Sequence, residues 1–526
     1  MASRAQPIGL VRWLGGGAAA LVLMLALGTL GAVFLHAEGP GGLGPADWAA
    51  LRFTLLQATL SAALSVGLAV PLARALARWR FPGRRLLIIL MGAPFILPVI
   101  VAVLGLLAVF GRGGVLNDVL GRAGFEPVSI YGLPGVLLAH VFFNLPLATR
   151  LLLQGWQAIP AERFRLAATL GFSTRDVFRW LEWPMLRAIL PGAFMVIFLI
   201  CLTSFAVVLA LGGGPRATTI ELAIYQAFRF DFDLSKAAQL ATLQFAIGAA
   251  VAAVALNFAT ETAFGPGLDR PVLRFDAARV WLRAVDGAMI LAAAIFLLAP
   301  LSAVVIAGLG QITTLPAPVW HAAARSVAVA LASTAITIAL ALPLALLVAS
   351  PGQRRGWHSR VMQPIGYLSL AASPLVIGTG LFIILFPITD PVALALPVTA
   401  VVNAVMSLPF ALRILTPAIA DAEADFGRLA NSLGLAGLAR LRLLTLPRIR
   451  APLGFAAGLA AALSMGDLGV VALFAPLDGA TLPLQLYRLM AAYRMESAAG
   501  AALLLLMLSF ALFWLFDKGG RFRAHA

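Results

Sequence analysis

Residues 162–187 read ERFRLAATLGFSTRDVFRWLEWPMLR, and residues 425–450 read DFGRLANSLGLAGLARLRLLTLPRIR. Adding 263 to each number of the first stretch gives the second without a gap. Arg165 falls on Arg428, Leu166 on Leu429, Ala167 on Ala430, Gly171 on Gly434, Pro184 on Pro447 and Arg187 on Arg450. Both copies are polar and Arg-rich, and each lies between two apolar stretches long enough to cross a bilayer. A chain that presents one water-facing loop twice is expected to dock one kind of partner twice.

Composition sets the frame. With 61% hydrophobic and 11% charged residues and a mean hydropathy of +0.97, the 526-residue chain is not a soluble protein. Charge-poor runs of about eighteen residues or more recur throughout, which is the pattern of transmembrane helices. The net charge of +16 does not argue for nucleic acid, because the arginines sit in short loops between apolar runs rather than among aromatics on a soluble domain. The lone cysteine, Cys201, excludes an intrachain disulfide and a cysteine metal site.

Apolar runs fall near residues 13–35, 51–74, 86–110, 133–157, 189–211 and 236–258. Six more follow near 280–308, 322–349, 361–386, 392–415, 452–474 and 496–516. The first is longer than a signal-peptide core, so a retained helix is expected there. Between the sixes lies a polar stretch containing Gly265-Pro266-Gly267, the best linker in the chain. The expectation is an all-α polytopic membrane protein of about twelve helices: residues 1–258, a cytoplasmic linker over 259–279, and residues 280–526. The polar loops span 158–188 and 416–451.

The repeat reaches beyond the loops. Residues 140–152 (HVFFNLPLATRLL) align with 403–415 (NAVMSLPFALRIL) at the same offset. Pro71 and Pro343 end similar small-residue runs, and Tyr225 in TIELAIYQAF parallels Tyr487 in TLPLQLYRLM. Equivalent loops six spans apart lie on one side of the membrane, so the halves form a parallel repeat about the membrane normal. With the amino terminus placed inside, 29 of the 38 Lys and Arg residues fall on the inner side. The charge asymmetry puts both Arg-rich loops and both termini in the cytoplasm.

Glu162 to Leu170 has the pattern of a short amphipathic helix, with Phe164, Ala167 and Leu170 on one stripe and Glu162, Arg163 and Arg165 toward solvent. Gly171 is expected to end it in a left-handed conformation. Ser173 with Asp176 three residues later offers a capping box, for which residues 435–438 have no counterpart.

The spacing of these loops resembles the E-A-A-x(3)-G-x(9)-I-x-L-P loop of permease subunits of binding-protein-dependent ABC importers, in their fused-double, type I form. Gly171 and Gly434 hold the glycine position, Pro184 and Pro447 the proline, and Ala167 and Ala430 the second alanine. Arg165 and Arg428 depart from the pattern, standing where the family usually has Glu. Glu162 and Asp425 lie about one turn earlier and can reach the same face. The resemblance implies that Glu162, Arg165, Ala167, Ala168 and Gly171, with Asp425, Arg428, Ala430 and Gly434, couple the permease to two copies of an ATPase subunit. Ala167 and Ala430 are then expected to press into the ATPase groove.

Three stretches look closest to the thiamine permeases of that family: residues 131–154, the LEWP of 181–184, and GGGPRATTIELAIYQAF at 212–228. What this implies is a periplasmic thiamine-binding protein outside, a separate ATPase inside, and import of thiamine or its phosphates across the bacterial inner membrane. Fused ferric-iron permeases are the nearest alternative, and an ion-coupled secondary transporter is an alternative of another class.

Neither Lys236 nor Lys518 sits in a Walker A loop, and no serine elbow or metal-ligand spacing appears. The chain is therefore expected to be no enzyme, with no catalytic residue, no metal site and no cofactor of its own. His140, Asn144, Ser204 and Asp467 lie inside apolar runs, where polar groups are costly and tend to face a cavity, so they are candidates for the translocation path. Asp467 aligns with Ser204 and could face a cationic solute.

Overall fold

Long apolar runs without a water-facing side must satisfy their backbone groups within the segment, and helices do so. The computed structural model describes residues 9–37, 42–92, 96–256, 280–349, 373–476 and 479–521, and every regular element among them is helical. Those that organise the fold are α1 (Gly9–His36), α2 (Pro45–Arg78), α3 (Val99–Phe110), α4 (Leu133–Ala158), α5 (Ala161–Thr169), α6 (Trp183–Leu202) and α7 (Leu234–Leu256). The second half supplies α8 (Val280–Leu309), α9 (Ala317–Ala349), α10 (Pro374–Leu385), α11 (Ala395–Ser432), α12 (Arg450–Met465) and α13 (Met495–Arg521).

Eleven of the described helical segments are long and apolar enough to span a membrane. The linker expected over 259–279, with its Gly-Pro-Gly, lies outside the described residues, as does the first part of the span expected over 361–386. What is described of that span is α10, which has 12 residues. In the first half, the run expected at 86–110 is divided into a short helix, Arg84–Leu90, and α3.

The chain packs as two compact units whose bounds differ from those of the linear repeat. One gathers Met1–Gly42, Ile224–Phe245 and Thr313–Ala526, and the other Leu43–Ala223 and Ala246–Ile312. Each half thus lends its first long helix to a unit built mainly from the other half. In the first unit α1 packs on α9 and α10. A Cβ at Gly380 of α10 would lie 2.4 Å from the Thr29 carbonyl oxygen, so glycine is what lets α1 approach. In the second unit α8 packs on α2 and α3, where a Cβ at Gly105 would lie 2.5 Å from the Pro300 carbonyl oxygen. Arg78 of α2 and Asp286 of α8, both buried, close an ion pair at 2.5 Å.

The repeat is preserved in hydrogen bonds that hydropathy does not reveal. Thr54 Oγ1 of α2 accepts from the Ile220 N–H at 2.9 Å, and Ser326 Oγ of α9 accepts from the Leu482 N–H at 2.7 Å. Each hydroxyl satisfies an orphan donor at the start of a helix, Ile220–Arg229 or Leu482–Ala491. Pro71 and Pro343 do not end their helices. Both lie inside them, and α2 and α9 run on to Arg78 and Ala349.

Candidate docking loops and intramembrane polar clusters

The two loops end their first helix on the same turn. Gly171 and Gly434 have φ of +67° and +66°, the left-handed conformation that a helix end requires and that glycine adopts without a Cβ penalty. Around Gly171, its N–H donates to the Ala168 carbonyl and that of Phe172 to Ala167. Around Gly434, the N–H groups of Gly434 and Leu435 donate to Asn431 and Ala430, the same positions plus 263. Ser173 and Asp176 form the expected capping box, the Ser173 N–H donating to Asp176 Oδ2 at 2.9 Å, and Ala436 has no side-chain cap.

Further along, both copies widen into a single π-helical turn, Phe178–Glu182 and Leu441–Thr445. Pro184 and Pro447 have no N–H to give to the carbonyl four residues back. The preceding N–H reaches instead to the fifth, from Trp183 to Phe178 and from Leu446 to Leu441. A proline that removes a donor thus sets a π turn at a fixed place in each loop.

Exposure corrects one expectation. Ala167 and Ala430 are each only 2% exposed, so they seat the loop on its own chain and do not face a partner. Phe164 is buried beside Ala167, whereas Leu170, placed by its spacing on the same stripe, is open. Glu162, Arg165 and Ala168, and Asp425 and Arg428, are exposed as expected. Trp180, Trp183, Leu438 and Leu443 are also exposed, but within the helix that opens each loop the large apolar side chains turned outward are Leu166 and Leu170 in the first, 60% and 62% exposed, and Leu429 and Leu433 in the second, 57% and 64%. These four leucines occupy two positions of the repeat, one turn apart. Spacing alone could have nominated them, since apolar residues on a polar loop at matched positions in both copies are an economical signal of a contact face.

The loops differ in how they join the membrane helices. In the first, α4 ends at Ala158, Ile159 is extended, and Pro160 starts the separate helix α5. In the second, α11 runs unbroken for 38 residues from the apolar span into the docking segment, with Glu423 where the first copy has Pro160. Glu423 is held in the loop by Arg440, whose Nε donates to Oε1 at 3.1 Å and whose Nη2 pairs with Oε2. Arg440 Nη1 also donates to Asn431 Oδ1 at 2.7 Å, and the Arg448 guanidinium lies 4.0 Å from the Phe426 ring centre. The first loop has a different anchor. Glu182, fully buried, pairs with Arg74 of α2 at 2.7 Å and accepts from Trp156 Nε1 of α4 at 3.1 Å. Arg74 in turn lies 5.4 Å from the Phe178 ring centre.

Of the intramembrane candidates, three come together. His140 bonds Ser61 through Nδ1 at 2.9 Å and Ser204 through Nε2 at 2.8 Å. Asn144 Nδ2 donates to the His140 carbonyl at 2.9 Å and contacts Cys201 Sγ at 3.3 Å. Asp467 belongs to the other unit, where Oδ1 accepts from the Gly469 N–H at 3.2 Å and Oδ2 is buried without a hydrogen-bond partner among the described residues. Asn403, the counterpart of His140, donates to Ser464 Oγ at 3.1 Å, and Ser464 is the counterpart of Cys201. Outside the spans, burial pushes the hydroxyls of Tyr225 and Tyr487 above the ordinary phenol range. Tyr225 adds to the shift at Tyr487, so the tyrosines paired in the repeat are also electrostatic neighbours.

No family model matches the chain. Relatives match it from end to end. The thiamine transport system permease protein ThiP of Brucella abortus (strain 2308) is 41% identical over 524 residues, covering 97% of this chain and 96% of its own length. The proteins of that name from Salmonella typhimurium and Escherichia coli (strain K12) are each 40% identical, over 530 and 533 residues, and cover 98% of this chain and 98% of their own.

Proposed function

We infer the function from a premise that these relatives supply: this chain belongs to the family of thiamine transport system permease proteins. It is the membrane permease of an ABC importer and carries thiamine, or its phosphates, from periplasm to cytoplasm. A periplasmic thiamine-binding protein delivers the solute, and ATP is hydrolysed by two copies of a separate ATPase subunit, one at each docking loop. The chain lies in the bacterial inner membrane with both termini cytoplasmic.

The observation that carries this reading is identity maintained over nearly the full length of both chains, which includes both halves of the repeat. The paired loops support the two-ATPase arrangement, because they keep the same turn, the same π segment and the same outward leucines 263 residues apart. The inward bias of Lys and Arg supports the orientation. An ion-coupled carrier would have no use for two matched cytoplasmic loops of this form.

Uptake of labelled thiamine tests the substrate. Cells that make their own thiamine and lack this chain are expected to lose import from dilute medium and to regain it when the chain is restored. Unchanged thiamine import together with loss of ferric-iron import would overturn the substrate and leave the importer class standing.

A further inference from the structure

The first docking helix is severed from α4 at Ile159-Pro160, so that route cannot act as a rigid lever between loop and membrane. On its other side the loop runs on through the π turn into α6, so displacement reaches α6 along the chain, whereas α2 and α4 must be reached through side chains. Glu182 ends the π turn of the loop, is fully buried, and touches two membrane helices at once: Arg74 of α2 through an ion pair, and Trp156 of α4 through a hydrogen bond. At the same register the second loop has Thr445, and there α11 is continuous. Among the described residues the tie made by Glu182 has no counterpart at Thr445, in the copy whose entry helix is unbroken.

We propose that Glu182 is a positioning residue of the transport cycle, a buried strut through which movement of the first docking loop is passed to α2 and α4. The proposal rests on the reading of these loops as ATPase-docking elements. A carboxylate in this place couples the elements it joins because moving the loop without α2 would strand a charge in a dry site. The side chains around it add stiffness: Arg74 packs over Phe178, whose ring centre is 6.3 Å from that of Trp183. An element of this kind transmits only if breaking it changes coupling, and coupling is directly measurable.

The test uses the purified permease–ATPase complex in phospholipid vesicles with the thiamine-binding protein, reading bound ATPase, ATP hydrolysed and thiamine imported. Glu182→Gln is expected to keep both ATPase subunits and to go on hydrolysing ATP, while thiamine imported per ATP falls about tenfold. Because Glu182→Gln removes one charge of the buried pair with Arg74, the double variant Arg74→Gln with Glu182→Gln removes both charges and guards against misfolding. It is expected to assemble normally and remain uncoupled. Thr445→Ala in the other loop should leave the ratio unchanged. Normal import per ATP in the double variant, or a fall matched by loss of ATPase from the complex, would overturn the strut. Absence of thiamine import by the unaltered chain would instead overturn the function from which the proposal starts.

Discussion

The two docking loops have the same sequence frame and unlike attachments. The first hangs from α4 by an extended residue and a proline and is tied back to the bundle by Glu182. The second grows directly out of α11 and is locked on itself by Arg440, Glu423 and Asn431. What the repeat conserves is the outer surface: the glycine turn, the π segment and the pair of exposed leucines. What it leaves free is the connection behind that surface. On the proposed reading, in which each copy meets one of two identical partners, the face must be kept while each copy can reach the membrane by whatever route its own neighbours allow.

The most disruptive way to break the comparison is to give the second loop the break of the first. Glu423→Pro places a proline inside α11 and removes the anchor of Arg440, at a cost of about 3 kcal/mol or more. It should release residues 423–440 to rapid hydrogen exchange and abolish uptake, because among the described residues Thr445 stands where the first loop has its buried Glu182. The reciprocal Pro160→Ala, at the start of α5, should change little. Equal tolerance of both changes would mean that the continuity of α11 carries nothing.

A smaller perturbation separates lock from lever. Glu423→Gln keeps the helix and loses the charged partner of Arg440, which is worth about 1–2 kcal/mol for a half-buried pair. Exchange should quicken within 423–440 and stay as it was in α9 and α12. Quickening that spreads into those helices would show that the lock also holds the bundle.

The smallest effect concerns the cap. Ser173→Ala removes the capping box of the first loop and should cost about 1 kcal/mol, read as faster exchange over residues 174–177. Ala436→Ser offers the second loop an N-cap hydroxyl that it lacks and should slow exchange over 437–440 by up to a comparable amount. No response in either loop would remove the cap from the account.

The sequence makes one layer of this molecule legible and conceals another. Local rules reach the helical class, the left-handed glycines and the Ser173 cap, because each depends on residues a few positions apart, and the twofold repeat shows on comparing the chain with itself at an offset of 263. They misplace Ala167 and Ala430, since periodicity defines a stripe without saying which body it faces, and here both alanines are buried within the chain itself. His140, Asn144 and Ser204 stand out as polar residues in apolar runs, yet their convergence with Ser61 depends on how α2, α4 and α6 pack. Glu182 passes unnoticed among the charges of a polar loop, because its partners Arg74 and Trp156 come from other helices. The lending of α1 and α8 between units is equally silent, because hydropathy marks a span and not its neighbours.

On the proposed function, each loop holds one ATPase through its outward leucines. Native mass spectrometry of the purified complex measures this directly, with one variant carrying Leu166→Glu and Leu170→Glu and another carrying Leu429→Glu and Leu433→Glu. Burying unpaired carboxylates at an interface costs several kcal/mol, enough to weaken docking by about a hundredfold or more. Two ATPase subunits are expected on the unaltered chain, one on either variant and none when both pairs are changed, with the permease itself intact. Two subunits retained on all of them would contradict it.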